Sequence, residues 1–365
     1  MALLEVKNLS ISFGGLKAVD NFHINIEKGQ LYGLIGPNGA GKSTILKTIT
    51  RQLKRIGGTI YLGQESMNNM RDSDVSKSLS MVMTERLQTE LLTGRDVVAS
   101  GRYPYTGRFG ILAKEDWEKV DEAIALVHAQ DVQDQDFRKM SDGQRQRLML
   151  ARAICQDTDI LLLDEPTSYL DMGFKLDILA NIRMLARERN LAIIMSLHEL
   201  DLAQKVSDTI ACVKGDHIDR IGTPEEIFSG DYVQQLYGVT ETAFDPVTGE
   251  VFLQGAKSEP KVFVIGGCGS GIAVYNRLQR QSIPFVAGIL QKNDLEYPTA
   301  RALAAEVVSQ KAFYPIEKAQ IEEAKKWMEQ CETCICTLPM EAFGPLNEAN
   351  RELLEYAKEI GKLSM

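Results

Sequence analysis

The stretch that decides the fold reads GPNGAGKST at residues 36–44, after the apolar run LYGLI at 31–35 and before the helix-like TILKTITRQL. A strand, a glycine-rich turn and a helix in this order direct consecutive backbone N–H groups at a phosphate, assisted by the helix dipole. Lys42 would supply positive charge to the β- and γ-phosphates of a nucleotide, and the Ser43 hydroxyl would ligate Mg²⁺. The loop residues expected to bind are Gly36, Asn38, Gly39, Ala40, Gly41, Lys42, Ser43 and Thr44.

A second apolar run, ILLLDEPT at 160–167, ends in two carboxylates. This pattern predicts a strand buried in a parallel sheet, whose functional residues follow its carboxyl end. Asp164 is expected to hold Mg²⁺ through water, and Glu165 to lie beside the γ-phosphate and polarise the attacking water. With the phosphate loop upstream, the pair predicts hydrolysis of a nucleoside triphosphate with Mg²⁺, and the resemblance described next implies ATP as that nucleotide.

The run MSDGQRQR at 140–147 resembles the signature motif of ABC ATPases, and the resemblance covers residues 1 to about 255. It implies an ATP hydrolase that works as a homodimer, because in this family each active site is completed by the opposite subunit. Ser141 and Gly143 would then contact the γ-phosphate bound by the partner, and Gln144 would be a further nucleotide-binding residue.

Three further positions follow from the resemblance. Asp142 stands where the family has its second glycine, and a carboxylate near a phosphate is unfavourable, so Asp142 is expected to face its own helix. SYLD at 168–171 resembles the loop that crosses between subunits, with Asp171 in its usual place. His198, at the end of the apolar strand in IIMSLHELDLA, matches the switch histidine that contacts the γ-phosphate.

Two expected nucleotide contacts are less certain matches to the family pattern, because one residue also fits another role and the other differs from the family's usual residue. Phe13 occupies the place of the aromatic ring that stacks on adenine, although it also fits a role in a strand core. In LSMVMTER, Thr84 stands where the family presents a glutamine to Mg²⁺ or the attacking water. Threonine is shorter, so its contact would need an intervening water, and Glu85 and Gln88 are nearby substitutes between which the sequence does not decide.

The segment LLTGRDVVASGRYPYTGRFG at 91–110 resembles ATPases that serve importers of iron–siderophore, haem and cobalamin complexes. Gly101, Arg102 and Pro104 match a G-R-x-P element, and by resemblance the region around Arg102–Pro104 receives the coupling helix of an integral-membrane permease. A substrate-binding protein would be an indirect partner. The alternatives are an importer for another substrate and a soluble ABC ATPase not coupled to transport. The soluble ATPase is disfavoured because the sequence has no long coiled-coil insertion, no second ATPase cassette and no surplus of basic residues.

Composition limits the function classes. Of 365 residues, 44% are hydrophobic and 25% charged, which is typical of a globular protein with a proper core. The formal net charge of -9 argues against nucleic acid as a partner, because phosphate backbones are bound by clusters of Lys and Arg. No apolar run approaches the length of a membrane span, and the start MALLEVKNLS lacks the features of a secretion signal. We therefore expect a peripheral protein at the cytoplasmic face of the cell membrane.

The predicted fold class is α/β with two domains. An ABC ATPase domain over 1–257, with a helical subdomain at about 85–156, precedes a smaller Rossmann-like domain over 258–365. The second domain is predicted from an alternation of strands and helices that includes a strand at IPFVAGIL and a helix over TARALAAEVV at 299–308. A hairpin turn is predicted at Thr248 and Gly249.

The opening VFVIGGCGSGIAVYNRL of the second domain resembles a Rossmann turn. Gly267 and Gly269 fit the first two glycine positions, whereas Ile272 stands at the third. Asp294 or Glu296 could serve as the ribose-binding acid. Dinucleotide binding, another small ligand, and a structural or dimerising role all remain open.

Six cysteines in a chain without a secretion signal predict reduced thiols. Cys331, Cys334 and Cys336 could indicate metal or redox chemistry. A structural role is favoured, because Cys334 and Cys336 lie on one face of the apolar strand TCICTL and no histidine accompanies them.

Overall fold

The structure is a computed structural model that describes residues 2–13, 16–83, 91–107, 109–240, 243–246, 249–339, 341, 343–344 and 347–364, with the side chains of residues 13 and 16–18 outside the description. The chain divides into two compact units, Met1–Tyr237 and Gly238–Met365. The proposed boundary near residue 258 stays a prediction. Within the described residues, no helix is long and apolar enough to cross a membrane.

Unit 1 contains two sheets. Its strands are β1 Leu4–Phe13, β2 Leu16–Ile26, β3 Leu31–Ile35, β4 Arg55–Leu62, β5 Glu65–Ser66, β6 Leu79–Val82, β7 Ile160–Leu163, β8 Ala192–Ser196, β9 Thr209–Lys214 and β10 His217–Gly222. An antiparallel sheet has the order β2-β1-β4-β5, and a second sheet has the order β10-β9-β3-β8-β7-β6. In the second sheet only β10 runs antiparallel to its neighbour, so β3, β7 and β8 end at one edge.

The helices of unit 1 are α1 Lys42–Ile49, α2 Asp72–Ser78, α3 Gly94–Ala99, α4 Lys114–Leu126, α5 Asp142–Cys155, α6 Met172–Glu188, α7 Leu200–Val206, α8 Pro224–Ile227 and α9 Tyr232–Tyr237. Short 3₁₀ helices cover Met67–Asn69, Ser100–Tyr105 and Phe137–Lys139. Strands β3, β7 and β8 are buried along their whole lengths, as expected for parallel strands covered on both faces. The apolar core joins this sheet to the antiparallel one and to α1.

Unit 2 is a parallel sheet flanked by helices. Its elements are β11 Val262–Ile265, α10 Ile272–Arg280, β12 Phe285–Gln291, α11 Tyr297–Leu303, β13 Glu306–Gln310, α12 Lys318–Gln330, β14 Thr333–Cys336, α13 Glu348–Glu359 and β15 Leu363–Ser364. The strand order is β13-β12-β11-β14-β15, so the chain builds the sheet outward from β11 first on one side and then on the other, which is the arrangement of a Rossmann-like domain. Two separate apolar cores lie in this unit.

One predicted element of unit 2 is wrong in its extent. The helix expected over 299–308 ends at Leu303, and its last residues form strand β13 instead. Val307 and Val308 are β-branched and fit a strand, and the Ala305 N–H donates to Phe285 O at 2.8 Å beside β12. The hairpin expected at residues 248–249 has Thr248 outside the described residues, and a bridge pairs Phe244 with Val251 across it.

Candidate functional site

The phosphate loop joins the buried strand β3 to α1, as its sequence predicts. Gly36 has a φ of 147°, and a Cβ there would lie 2.2 Å from the Val213 carbonyl oxygen, so this position requires glycine. Gly41 caps α1 in the left-handed region with a φ of 96°. These two glycines allow the loop to curve back over the helix N-terminus.

Lys42 is enclosed by this loop. Its Nζ donates to Gly36 O at 2.6 Å and to Pro37 O at 3.1 Å, and the side chain is buried. Burial lowers the pKa of Lys42 below its ordinary value, while the charges of Glu165 and Asp164 act in the opposite direction. The ammonium group is therefore held against the first residues of the phosphate loop.

A cluster of oxygen atoms lies next to the loop, at the carboxyl ends of β7 and β8. Ser43 Oγ donates to Asp164 Oδ1 at 2.9 Å, and Ser196 Oγ donates to the same oxygen at 2.8 Å. The Glu165 N–H donates to Ser196 Oγ at 2.9 Å. Sequence reasoning missed Ser196, although its place two residues before His198 in a buried strand is a usable signal.

The donor set fits Mg²⁺. The Ser43 hydroxyl and the Asp164 carboxylate are hard oxygen ligands, and Mg²⁺ in nucleotide sites takes one or two such ligands together with water and phosphate oxygens. Among the described residues no group of three or more His, Cys, Asp or Glu side chains forms a metal cage. This arrangement is suited to an ion that arrives with a nucleotide.

Glu165 lies between two further partners. Its Oε1 is 2.5 Å from His198 Nε2, and its Oε2 accepts from Ser168 Oγ at 3.1 Å. Glu165 has a φ of 48°, a left-handed conformation that is uncommon for a residue with a side chain. The structure thus brings together Lys42, Ser43, Asp164, Glu165 and His198, which the sequence places up to 156 positions apart.

The signature residues form the start of α5. Ser141 and Gln144 form a capping box, in which the Gln144 N–H donates to Ser141 Oγ at 3.2 Å and the Ser141 N–H to Gln144 Oε1 at 2.8 Å. Asp142 Oδ1 pairs with Arg145 Nη1 at 3.2 Å, which agrees with the expectation that Asp142 faces its own helix. A Cβ on Gly143 would lie 3.3 Å from the Leu170 side chain, so the glycine leaves room for the loop before α6.

Asp171 caps α6, and its Oδ1 accepts from the Phe174 N–H at 3.0 Å. The neighbouring Tyr169 and Met172 are largely exposed. Thr84 lies outside the described residues, as do Glu85 and Gln88. The backbone of Phe13 ends β1, and its side chain lies outside the description.

Arg102 is buried rather than presented to solvent. Its Nε donates to Asp116 Oδ1 at 2.9 Å and its Nη1 to Cys155 O at 2.9 Å, while the guanidinium stacks 4.0 Å from the Tyr105 ring. The Arg102 donors are thus directed at α4 and at the last residue of α5, and the permease contact expected around Arg102–Pro104 stays a prediction. Tyr103, the next residue, is 63% exposed.

In unit 2 the glycine-rich turn after β11 already binds anions of its own chain. The Cys268 N–H donates to both Asp294 carboxylate oxygens at 3.0 Å, and the Gly271 N–H donates to Glu296 Oε2 at 2.7 Å. Glu296 is fully buried and also accepts from the Tyr275 hydroxyl at 2.7 Å. A pyrophosphate would have to displace these carboxylates, so the geometry favours the structural role among those left open.

Two cysteines of unit 2 lie in the apolar core. Cys331 and Cys334 are buried, and burial raises the pKa of Cys331 to about 12 and that of Cys334 to about 11. The thiols are therefore neutral at physiological pH, which supports the structural interpretation.

The strand order and the phosphate loop of unit 1 define the class of P-loop ATPases. Comparison with known proteins narrows this class. A family model for ABC transporters matches residues 19–168, and a model of the MJ0874 family matches residues 285–364. The chain belongs to the ATP-binding proteins of ABC transporters.

Three relatives illustrate that membership. The ABC transporter ATP-binding protein MJ0873 of Methanocaldococcus jannaschii is 38% identical over 292 residues, 79% of this chain and 100% of that protein. The cobalamin import ATP-binding protein BtuD of Halobacterium salinarum is 30% identical over 330 residues, 88% and 82% of the two chains. The iron(3+)-hydroxamate import ATP-binding protein FhuC of Bacillus subtilis is 34% identical over 249 residues, 68% and 93%.

A solved structure agrees in fold. The dimeric ATP-binding cassette in a post-hydrolysis state with ADP and phosphate superposes with a TM-score of 0.55 at 24% identity, covering 60% of this chain and 98% of that one.

Proposed function

We propose that the chain is the ATP-hydrolysing subunit of an importer that takes up a metal chelate of the iron–siderophore, haem or cobalamin type through a membrane permease. The observation that carries the proposal is that relatives at 30% and 34% identity are import ATPases for cobalamin and iron(3+)-hydroxamate. The alternatives are an importer for another substrate and an ABC ATPase not coupled to transport.

Cobalamin is the chelate favoured by the extent of the similarity. The first unit has 237 residues, so an alignment over 330 residues must continue into unit 2. The alignment with the iron-hydroxamate protein, over 249 residues, is only 12 residues longer than unit 1, since 249 − 237 = 12. Of these two relatives, the one named for cobalamin is thus the one whose similarity must extend well into unit 2.

The site residues take the following roles in the proposal. The phosphate loop and Lys42 bind the nucleotide phosphates, with Phe13 against the adenine, and Ser43 and Asp164 hold Mg²⁺, which neutralises phosphate charge when bound. Glu165 orients and deprotonates the attacking water, and His198 positions Glu165 and contacts the γ-phosphate. Their mutual hydrogen bonds support this division, since base and orienting group lie within direct contact. Thr84 remains a proposed contact to Mg²⁺.

A homodimer would complete the site. Ser141, Gly143 and Gln144 at the start of α5, with Asp171 before α6, would face the nucleotide bound by the partner. The exposed apolar side chains of Tyr169 and Met172 support an interface at this face, because apolar side chains clustered beside functional loops mark contact surfaces.

The permease would dock on the helical subdomain at the cytoplasmic face of the membrane, where the ATPase is peripheral. Exposed apolar side chains concentrate there: Leu91, Leu92, Tyr103, Phe109 and Ile111. Arg102 would act by holding this surface in place. The substrate-binding protein would communicate with the ATPase only through the permease.

Glu165→Gln tests the proposal. The amide keeps the side-chain volume but does not accept a proton, so we expect ATP binding to persist while turnover falls by about 10²–10⁴-fold. ATP hydrolysis of the purified chain and uptake of labelled cobalamin and of ferric hydroxamate by cells carrying the variant should be measured together. Glu188→Gln, the same change at an exposed position on α6, is the matched control.

Turnover of the Glu165 variant within twofold of wild type would refute the assigned base. Uptake of both chelates at the wild-type rate in cells lacking the protein would refute the importer assignment, whatever the ATPase result.

A further inference from the structure

The last residue of β8 and the residues after it hold the loop that follows β7 at successive points. Strands β7 and β8 are parallel and pair Leu163 with Met195, so the segments beyond them run side by side. Ser196 accepts from the Glu165 N–H, His198 contacts the Glu165 carboxylate, and Glu199 accepts from Thr167. The last contact has no role in the site as described above.

Glu199 uses each carboxylate oxygen for a different element. Its Oε2 accepts from Thr167 Oγ1 at 3.1 Å, and its Oε1 accepts from the Lys175 ammonium in the first turn of α6. Glu199 is the N-cap residue of α7, yet its side chain makes no capping hydrogen bond. The side chain therefore binds the loop before α6 and the first turn of α6, and it does not cap its own helix α7.

The segment from Glu165 to Lys175, which includes both contacts, has a backbone that needs external support. Glu165 and Tyr169 have φ values of 48° and 65°, and such conformations cost about 1–3 kcal/mol each and persist when surrounding contacts impose them. Thr167 and Lys175 lie on either side of residues 168–171, which include Ser168, a hydrogen-bond donor to Glu165. One carboxylate thus restrains both ends of the segment.

We infer that Glu199 is a positioning residue for ATP hydrolysis, which holds the segment at 167–175 so that Glu165 and the residues leading to Asp171 keep their working geometry. The inference rests on the proposed role of Glu165 as the base. Glu199 acts through Thr167 and Lys175 and touches neither nucleotide nor water itself.

Steady-state ATP hydrolysis by full-length Glu199→Ala, Glu199→Gln, Lys175→Met and the Lys175→Met/Glu199→Gln double variant tests the inference. Glu199→Ala should lower kcat about tenfold or more with the KM for ATP within about twofold, because the phosphate loop is untouched and the base is displaced. Glu199→Gln keeps an acceptor for Thr167 and should lose about threefold, as should Lys175→Met. The double variant should be no slower than either single one, since all three remove the same ion pair.

Two controls separate the outcomes. Lys205→Met removes an exposed ion pair with Asp201 on α7 and should keep the wild-type kcat. Glu165→Gln reports on the base independently, so that turnover retained by that variant counts against the proposed function and not against Glu199. Wild-type kcat in Glu199→Ala would overturn the inference. Additive losses of kcat in the double variant would also overturn it. The same holds if Glu199→Ala only lowers the melting temperature and raises the KM while Glu199→Gln and Lys175→Met remain fully active.

Discussion

Replacing Arg102 with Met tests whether this residue supports α4 and α5 from inside or contacts another protein from the surface of the chain. The substitution keeps an apolar stem but removes the donors to Asp116 and to the Cys155 carbonyl oxygen. Asp116 would keep one hydrogen bond, from the Ala113 N–H at 2.9 Å, and would otherwise remain a buried charge without its cation.

The expected loss follows from that burial. Breaking a buried ion pair from one side costs about 3–5 kcal/mol, because the remaining charge stays desolvated. For a unit of this size each kcal/mol lowers the melting temperature by about 2–4 °C, so we expect a drop of about 6–20 °C. Arg95 on α3 and Asp121 on α4 offer a control pair, with bidentate contacts at 2.9 Å but side chains 36% and 56% exposed. Arg95→Met should cost no more than about 1 kcal/mol.

Thermal unfolding of the full-length variants measures both values, and an Arg102→Met/Asp116→Asn double variant should lose less than the two single losses combined. Tyr103→Ala should leave the melting temperature unchanged and weaken only the stimulation of ATP hydrolysis by the permease. An Arg102→Met variant of wild-type stability that has lost coupling to the permease would refute the structural assignment.

Three other outcomes are expected. Lys42→Ala should weaken MgATP binding in calorimetric titration, because the charge facing the β- and γ-phosphates is gone, and unchanged affinity would contradict the phosphate loop. Burial raises the pKa of Glu296 above its ordinary 4.5, although hydrogen bonds from Tyr275 and Gly271 act in the opposite direction. The folded state therefore binds the proton more tightly than the unfolded state, and the stability that this group contributes declines as the pH rises from about 4.5 through the raised pKa. Glu296→Gln should flatten that decline in thermal unfolding scans at different pH values. NAD or NADP at millimolar concentration should give no thermal shift of the full-length chain, since the N–H groups of Cys268 and Gly271 already donate to carboxylates; a saturable shift would restore the dinucleotide hypothesis.

Local sequence was most informative where a motif and its context occupy a few consecutive residues. The phosphate loop needs a strand before it, glycines within it and a helix after it, and all three are legible in residues 31–53. The helix predicted over 299–308 shows a case in which local sequence is not sufficient. Alanine and leucine favour a helix up to Leu303, but β12 offers hydrogen bonds to the next residues, and that edge is not visible in the local pattern.

The sequence by itself determined the class of the protein, the two α/β regions, and the identity of the groups that would bind phosphate, bind Mg²⁺ and activate water, because each belongs to a short motif with a required residue type. Only the tertiary structure decided which side chains hold those groups in place. Ser196 and Glu199 meet Asp164, Glu165 and Thr167 because β7 and β8 are parallel neighbours about 30 residues apart in sequence. Likewise, Arg102 proved to be internal and the glycine turn of unit 2 proved to be occupied by its own carboxylates. Pairing across distant segments depends on how strands and helices pack, and no local pattern of residues encodes it.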